Sequence, residues 1–396
     1  MLYKRKIYNK IKKTIRNKEI IILTGMRRVG KTTLYKMFFN EIMSKNKIFL
    51  DLENPIEQKI FEEQDYNNII FNFKEYGLNL KSRAYVFIDE IQAMPEVVKA
   101  IKYLYDHYDI KFFLTGSSSY YLKNFFPESL AGRKIVFELF PLDFEEFLIF
   151  KSGDAEIKKF YKNFKQKTKN KNLILYEKTK KYYDEYLNHG GFPEVVLSEN
   201  KDDKFLKLQD IFKSYFEKDV KVLADFKEIK VFRDLILLLM QRVGSKIEIT
   251  KLSAQLSVSR ETIYSYLSFL EQTYFVNFIS PFSKNVDREV SGSKKVYLCD
   301  NGLLNYFAKA SEGALFENSV FLNLRKYGVI NYYQKRTGSE IDFILNQKIA
   351  IEAKIKGSDF DYKKLKKISD FLSMQQSYLA TMHYNDKPYS ILGIDL

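Results

Sequence analysis

Residues 25–32 read Gly-Met-Arg-Arg-Val-Gly-Lys-Thr and stand between an apolar run and a helical pattern. Glycines at both ends of such a stretch let the backbone curl so that successive N–H groups, and the amino end of the next helix, point at one anion. Lys31 would then contact the β- and γ-phosphates of a nucleotide, and Thr32 would bind Mg²⁺. The predicted nucleotide-binding residues are Gly25, Arg28, Val29, Gly30, Lys31, Thr32 and Thr33.

The first 150 residues alternate short apolar runs with helical patterns, which is typical of strand–helix units in an α/β domain. Each run is bounded by Gly, polar or charged residues, as expected of a strand buried on both faces of a parallel sheet. The predicted strands are Ile20–Thr24, Lys47–Leu52, Tyr85–Asp89, Lys111–Thr115 and Lys134–Leu139. We therefore expect residues 1–150 to form a parallel-sheet P-loop nucleoside triphosphatase core.

The strand that ends at Asp89 is followed directly by a second carboxylate, Glu90. Asp89 can bind Mg²⁺ through water, and Glu90 is placed to polarise the attacking water as a general base. A strand that merely ends in solvated carboxylates is the alternative. The phosphate loop upstream favours the catalytic interpretation.

Two further residues are candidates for sensing the γ-phosphate. Ser117 follows the strand that ends at Thr115, and ligands of a parallel sheet lie at the carboxyl ends of its strands. Arg133 follows Gly132, and an arginine here can stabilise charge on the transferred phosphoryl group, in its own site or in a neighbour's. An ordinary surface arginine is the alternative for Arg133.

Residues 151–240 lack strand-like runs and carry Lys-rich helical patterns that are broken at Gly190-Gly191-Phe192-Pro193. We expect an all-helical, lid-like segment with a basic insert. The lysines of Lys151–Lys181 form either a phosphate-contacting surface or a solvated helix face.

Residues 241–290 predict a strand, a helix, a turn, a second helix and an extended segment, which is the layout of a winged helix-turn-helix. The candidate DNA contacts are Arg260, Thr262, Ser265 and Tyr266 in the major groove and Lys284 in the wing. The same fold also docks proteins, so DNA and a protein remain alternative partners.

The order of these motifs resembles a known family. The motifs on which the resemblance rests are Gly25–Thr32, Asp89-Glu90, Thr115–Ser119, Leu130–Arg133, Phe140–Leu142 and Gly190–Glu194. Together they resemble the prokaryotic AAA+-type ATPases that join a nucleotide-binding domain to a winged helix and a restriction-endonuclease-like domain. The resemblance implies ATP as the nucleotide, Arg133 as a sensing or finger residue, and a carboxyl-terminal domain of uncertain activity.

The last predicted domain, residues 291–396, contains the spacing D-x9-E-x-K. Asp342 lies on one predicted hairpin strand, Glu352 and Lys354 lie on its partner, and Glu317 precedes them on an amphipathic helix. Two such strands can present carboxylates to Mg²⁺ while the lysine activates water, which matches the PD-(D/E)xK nuclease core. Related domains often keep this shape only for binding, so cleavage remains one of two alternatives.

The composition limits the partners, the compartment and the metal sites that we expect. The chain has 65 Lys+Arg against 50 Asp+Glu, a net charge of +15 that suits a polyanionic partner or reflects an AT-rich genome. A single cysteine, no signal pattern and no apolar run near the length of a bilayer span lead us to expect a cytoplasmic protein without a membrane contact. No His/Cys spacing fits a zinc site.

The function predicted from the sequence is Mg²⁺-dependent ATP hydrolysis whose nucleotide state controls a DNA-engaging carboxyl-terminal half. A nucleotide-gated switch that binds a protein is the first alternative, and a metal-dependent nuclease licensed by ATP is the second. The sequence leaves open whether the protein is a monomer or an oligomer.

Overall fold

The computed structural model describes residues 3–117, 130, 132–153, 160–220, 229–283, 292–335 and 338–396. Contacts divide the chain into two compact units. Unit 1 comprises Met1–Phe140 with Gln272–Tyr274, and unit 2 comprises Pro141–Glu271 with Phe275–Leu396. Within the described ranges, no helix combines the length and the apolar character needed to cross a bilayer.

Unit 1 is a five-stranded parallel sheet in the order β2-β3-β4-β1-β5. Its strands are β1 (Ile20–Thr24), β2 (Lys47–Asp51), β3 (Ala84–Asp89), β4 (Ile110–Gly116) and β5 (Lys134–Glu138). Its helices are α1 (Tyr8–Lys12), α2 (Lys31–Glu41), α3 (Pro55–Gln58), α4 (Asn68–Glu75) and α5 (Val97–His107), with a 3-10 turn at Ile91–Ala93. All five predicted strands are confirmed, and the sheet matches a P-loop nucleoside triphosphatase fold.

Helix α2 is fixed on this sheet by a buried aromatic layer. The Tyr35 hydroxyl donates to the carbonyls of Ile21 and Leu114, at 3.1 and 3.2 Å. The Tyr35 ring packs edge-on against Phe87 and Phe113, which are stacked 4.2 Å apart. Such buried aromatic pairs contribute packing energy and set the position of α2, and therefore of the loop that precedes it.

A short segment from later in the chain completes unit 1. The Tyr274 hydroxyl donates to Glu138 Oε1 at 3.1 Å, and its ring packs edge-on against Phe140. Thr273 is buried as well. The end of β5 is therefore covered by residues that follow it in sequence by more than a hundred positions.

Unit 2 contains the remaining helices and two sheets. The helices are α6 (Phe144–Ser152), α7 (Phe164–Lys169), α8 (Leu173–His189), α9 (Pro193–Val196), α10 (Lys201–Ser214), α11 (Ile229–Met240), α12 (Ile249–Leu256), α13 (Arg260–Gln272), α14 (Asn301–Ala308), α15 (Glu312–Leu324) and α16 (Asp359–Phe371). Short irregular turns of helix lie at Tyr215–Val220, Arg325–Tyr327 and Gly393–Asp395. The described part of residues 151–240 is helical, as expected.

Helices α12 and α13 are separated by a short turn in which Ser257 adopts a left-handed conformation with φ 54°. The Ser259 hydroxyl accepts from the Thr262 N–H and so caps α13, as the sequence predicts. Strands β6 (Val276–Ile279) and β7 (Lys295–Leu298) then pair antiparallel. The strand predicted before α12 is reduced to an isolated bridge between Lys246 and Lys295.

The carboxyl-terminal sheet has the order β12-β11-β10-β9-β8. Its strands are β8 (Ile330–Gln334), β9 (Glu340–Leu345), β10 (Ile349–Lys354), β11 (Gln376–Thr381) and β12 (Ser390–Leu392). The predicted β9–β10 hairpin is confirmed by antiparallel pairing, whereas β10, β11 and β12 are parallel. The inner face of α16, with Leu365 and Ile368, packs on this sheet.

Candidate functional site

The loop between β1 and α2 depends on two glycines. Gly25 has φ 151°, and a Cβ on it would lie 2.0 Å from the carbonyl oxygen of Leu139. Gly30 has φ 97° and stands directly before the first residue of α2. Both positions therefore require glycine, and they turn the loop so that it opens at the amino end of α2.

Lys31 is the first residue of α2 and is only 4% exposed. Its Nζ donates to the loop carbonyls of Gly25 and Met26, at 2.8 and 3.1 Å. The ammonium group is thus held across its own loop, beside the helix amino end. Carbonyl groups carry no net charge, so these bonds position the ammonium without neutralising it.

The loop is also held from the amino-terminal segment of the chain. Arg5 is 7% exposed, and it donates to the carbonyls of Val29 and Phe140, at 2.9 and 2.8 Å. Val29 is buried, whereas Arg28 and Thr33 are exposed. Arg5 could not be singled out from the sequence, because nothing in the pattern around it differs from an ordinary basic segment.

Asp89 at the end of β3 is 4% exposed and accepts a hydrogen bond from the Thr115 hydroxyl. Burial raises the pKa of Asp89, and hydrogen bonds from the hydroxyls of Thr115 and Thr32 oppose that rise. Since Thr32 belongs to the phosphate loop, its hydroxyl joins the loop to the carboxylate. Thr32 and Asp89 are the two oxygen ligands predicted for Mg²⁺, and the structure brings them together.

Glu90 is held in an unusual backbone conformation, with φ 52° and ψ 50°. Its N–H donates to the Thr115 hydroxyl at 3.0 Å, and its carboxylate accepts from Gln92. The guanidinium of Arg27 lies 3.8 Å from the same carboxylate. A left-handed non-glycine residue stores backbone strain, which the contacts of Thr115 and Gln92 offset while they aim the side chain.

Thr115 and Gln92 were missed as site residues. Thr115 joins Asp89 to the backbone of Glu90, and the Gln92 amide joins Glu90 to Ser117, whose N–H donates to Gln92 Oε1 at 3.3 Å. Thr115 could have been found from the sequence, because it lies at the end of the predicted strand that follows the one ending at Asp89. The signal for Gln92 was absent, because it depends on a turn after Glu90.

Arg133 lies apart from the phosphate loop within unit 1. It forms a bidentate ion pair with Asp106, at 2.9 and 3.1 Å. Lys134, its neighbour, pairs with Ile20 at the start of β1, while the loop follows Thr24 at the other end of that strand. Four residues of strand span about 13 Å. The structure does not bring Arg133 to the phosphate loop of its own subunit, so a role in a neighbouring subunit stays a prediction, with an ordinary surface arginine as the alternative.

Unit 2 contains a second charged cluster, which surrounds Lys295 on β7. Its Nζ lies 3.3 Å from Glu340, 3.7 Å from Asp342 and 3.9 Å from Glu317. Lys295 is 2% exposed. The Tyr297 hydroxyl completes the group by donating to Glu317 at 2.8 Å.

Glu352 and Lys354 adjoin this Lys295 cluster. Lys354 Nζ donates to Glu352 at 2.9 Å, and the Ala353 N–H donates to Asp342 at 2.9 Å. Burial and the charge of Asp342 raise the pKa of Glu317 to about 8 and that of Glu352 to about 7. The four predicted nuclease residues are therefore neighbours.

The Lys295 cluster contains a cation of its own. The described residues contain no group of three or more carboxylate, histidine or cysteine side chains suited to binding one. The cation within 4.0 Å of three of these carboxylates is the ammonium of Lys295. The binding of Mg²⁺ by Asp342 and Glu352 stays a prediction, and Lys295 lies 3.7 Å from the first of these two residues. Sequence reasoning missed Lys295, although a lysine opening an apolar strand was the available signal.

The predicted DNA contacts on α13 divide by exposure. Arg260 and Ser265 are exposed and Thr262 is partly exposed. Tyr266 is 5% exposed and packs edge-on against Phe232 of α11, so the expectation that it faces a groove is wrong. Tyr264, 60% exposed on the outer face, was missed. Lys284 lies outside the described residues.

Models of known protein families match three successive stretches of the chain. Residues 17–148 match a family model described as an AAA domain. Residues 180–313 and 312–394 match two models that are each described as a domain of unknown function. The AAA match covers the sheet and the phosphate loop of unit 1.

Two relatives align along most of the chain. An uncharacterized protein of Methanocaldococcus jannaschii, MJ1544, is 30% identical over 401 residues, which cover 97% of this chain and 86% of that protein. An uncharacterized protein of Haemophilus influenzae is 28% identical and covers 82% of this chain and 79% of its own length. Among solved structures, the Walker-type ATPase PABY2304 of Pyrococcus abyssi aligns over 77% of this chain and 96% of its own, with 16% identity and a TM-score of 0.46.

Proposed function

We propose that this chain, which belongs to the same family as the uncharacterized M. jannaschii protein MJ1544 and matches an AAA domain at residues 17–148, binds ATP with Mg²⁺ and hydrolyses it. One observation carries the proposal: Lys31, Thr32, Asp89 and Glu90 converge at the carboxyl edge of one parallel sheet. Ligands of such sheets lie at this edge.

Each residue then has a separate role. Lys31 and the backbone N–H groups of residues 25–32 bind the β- and γ-phosphates, and Thr32 and Asp89 hold Mg²⁺, which when bound neutralises charge on the phosphates. Glu90 accepts the proton of the attacking water as general base. Ser117 hydrogen-bonds the γ-phosphate or the attacking water, and its N–H donates to the Gln92 amide, which also contacts Glu90.

The test is a pair of measurements on the purified chain. We expect calorimetry to detect ATP binding in magnesium buffer, and Glu90→Gln to bind ATP with normal affinity while turnover falls about a hundredfold or more. Glu96→Gln, a change of the same kind before α5, should leave both unchanged. Normal turnover in Glu90→Gln would remove Glu90 from its role, and absence of ATP binding by the native chain would remove the function.

DNA engagement by α12 and α13 is the second part of the proposal. The left-handed turn at Ser257, the cap at Ser259 and the antiparallel β6–β7 pair support a winged helix-turn-helix, and Arg260, Tyr264 and Ser265 are accessible on its second helix. If the carboxyl-terminal half adopts two arrangements and ATP and ADP differ in affinity for them, the nucleotide state would control which arrangement is populated. DNA-stimulated ATP hydrolysis that weakens steeply with salt and is lost in Arg260→Ala is the expected result.

Two experimental outcomes would replace DNA engagement by α12 and α13 with another function. ATP hydrolysis that is indifferent to DNA would favour a nucleotide-gated switch that binds a protein through the same helices. Metal-dependent cleavage of nucleic acid, abolished by Asp342→Ala, would support the nuclease alternative. The contacts of Lys295 do not favour cleavage, because they place an ammonium group among the carboxylates that would bind the metal.

A further inference from the structure

Helix α16 carries an exposed row of two phenylalanines and two lysines that the proposed function does not use. Phe360 is 76% exposed and Phe371 is 66% exposed, and Lys364 and Lys367 are also exposed. Their spacing, i, i+4, i+7 and i+11, places all four side chains on one face of the helix. We call this row the α16 stripe.

The carboxylates of α16 are all engaged elsewhere. Asp359 accepts from Tyr389 and Lys387, Asp361 caps the helix through Ser358, and Asp370 pairs with Lys366 at 2.6 Å. Lys366 and Asp370 lie on the flank of the helix away from the α16 stripe. The acidic side chains of this helix therefore do not neutralise the α16 stripe.

The lysines of the α16 stripe differ from the other cations nearby. In the part of the chain that the structure describes, Lys364 and Lys367 form no ion pair, whereas Lys366 and Lys387 do. A further cation adjoins the end of the stripe, since Lys335 Nζ lies 4.3 Å from the centre of the Phe371 ring. The stripe thus combines uncompensated positive charge with aromatic rings that expose their faces or edges to solvent.

From this arrangement we infer that the α16 stripe binds single-stranded nucleic acid. Lysines that alternate with exposed rings suit a polymer that alternates phosphates with unstacked bases, because the ammonium groups contact phosphates while bases stack on the rings. Eleven residues of helix separate the rings by about 16 Å, which leaves room for phosphates at both lysines. A duplex fits less well, because its bases are already stacked on one another.

An anionic lipid surface is the other polyanion that lysines attract. It suits the α16 stripe less well, because an interfacial helix buries a continuous apolar face, and here two ammonium groups stand between two isolated rings. The inner face of α16 is already packed on the carboxyl-terminal sheet. This inference concerns a surface separate from the phosphate loop and from α13, so it does not depend on ATP binding.

The experiment measures fluorescence anisotropy of a labelled single-stranded oligonucleotide of about 12 nucleotides, within the site sizes of such surfaces, with the full chain over a series of salt concentrations. Phe360→Ala/Phe371→Ala should weaken binding about fivefold or more for each ring on which a base stacks. Lys364→Ala/Lys367→Ala should reduce the slope of log affinity against log salt by about 1.4, or about 0.7 for each phosphate that a lysine no longer neutralises.

The matched control is Lys169→Ala/Lys348→Ala, which removes the same charge from exposed positions of unit 2 outside α16. It should change affinity by less than the stripe variants, and thermal unfolding should show that all variants fold. Equal weakening by the control would overturn the inference, because it would indicate a diffuse charge effect. Ring variants that bind the oligonucleotide normally, but lose binding to anionic vesicles, would overturn it in favour of a lipid surface.

Discussion

Each unit of the molecule contains a buried lysine beside carboxylates, and the two lysines have different partners. In unit 1, Lys31 donates to two backbone carbonyls at the amino end of α2. In unit 2, Lys295 lies among the carboxylates of Glu317, Glu340 and Asp342. Both side chains are less than 5% exposed, so burial alone does not distinguish them.

The comparison shows that the partners of a buried cation decide what it can do. Two loop carbonyls hold the Lys31 ammonium at the amino end of α2, where its charge also acts on Asp89, whereas Lys295 lies among three carboxyl groups. The carboxylates of the two sites differ accordingly. Asp89 and Glu90 lie beside a loop that can bind phosphate, and those of unit 2 already have their cation. We therefore regard the first lysine as a ligand-binding group and the second as an internal counter-ion.

Removal of Lys31 is the largest expected effect on activity. Lys31→Ala should lower kcat/KM for ATP by about a thousandfold, or about 4 kcal/mol, because a preorganised charge on the transferred phosphates is lost. Thermal unfolding should change little. Lys36→Ala, an exposed lysine one turn further along α2, is the control and should retain activity. A Lys31→Ala variant that is strongly destabilised yet active would reverse the assignment.

Removal of Lys295 should have the opposite profile. Lys295→Met should lower the free energy of unfolding by about 3 kcal/mol or more, because buried carboxylates lose their counter-ion, while ATP hydrolysis persists in the fraction that remains folded. Chemical denaturation measures the loss. Lys354→Met, whose side chain is 38% exposed and pairs with one carboxylate, should cost less. Unchanged stability of Lys295→Met would show that the carboxylates do not depend on this cation.

The pH dependence of unfolding tests how Glu317, beside Lys295, contributes to the stability of unit 2. A carboxyl group whose pKa is raised to about 8, as burial raises that of Glu317, binds its proton more tightly in the folded chain than in the unfolded one. Its contribution to stability is therefore fully present below about pH 4.5 and is lost as the pH rises to about 8.

Glu317→Gln should remove this dependence. The variant should match the native chain near about pH 5 and exceed its free energy of unfolding by about 1 to 2 kcal/mol above about pH 8. Glu312→Gln, an exposed position on the same helix, should keep the native pH profile. A Glu317→Gln chain that is less stable at every pH would mean that Lys295 needs all three carboxylates.

The smallest expected effect concerns the geometry of the unit 1 acids. Thr115→Val keeps the shape of the side chain but removes the hydroxyl that joins Asp89 to the Glu90 backbone. We expect kcat to fall about tenfold, the cost of losing hydrogen bonds worth about 1 to 2 kcal/mol, while ATP affinity changes little. Thr168→Val, at a partly exposed position of α7 in unit 2, is the control. A main effect on ATP affinity would contradict a positioning role.

The sequence predicted the parts of the fold that depend on local pattern. The five strands of unit 1 are short runs with apolar centres, although β2 and β5 are partly exposed, and the loop at Gly25 and Gly30 has conformations that glycine adopts readily. Both features were therefore readable without the structure. Strand β12, the parallel pairing of β10 with β11 and helix α14 were not anticipated. They depend on contacts between segments far apart in sequence, which periodicity does not encode.

The sites show the same division. Lys31, Thr32, Asp89 and Glu90 follow from a motif and a strand end, and the structure brings them to one sheet edge. Sequence spacing could not show that Lys295 of β7 lies among the carboxylates, because β7 and β9 come close to each other only in the folded chain. Helical spacing did distinguish Tyr266 from Tyr264, because Tyr266 shares the apolar face of Ile263 and Leu267, whereas Tyr264 lies about 200° away around the helix.

The return of residues 272–274 to unit 1 has a practical consequence for dissection of the protein. A fragment cut after the first 150 residues would contain the residues proposed to bind the nucleotide yet lack Tyr274, so Glu138 would lose that hydroxyl donor and Phe140 that ring contact. Poor solubility of such a truncation would therefore say nothing about catalysis. A peptide carrying those three residues, supplied in trans or fused through a linker, is the natural means of repair.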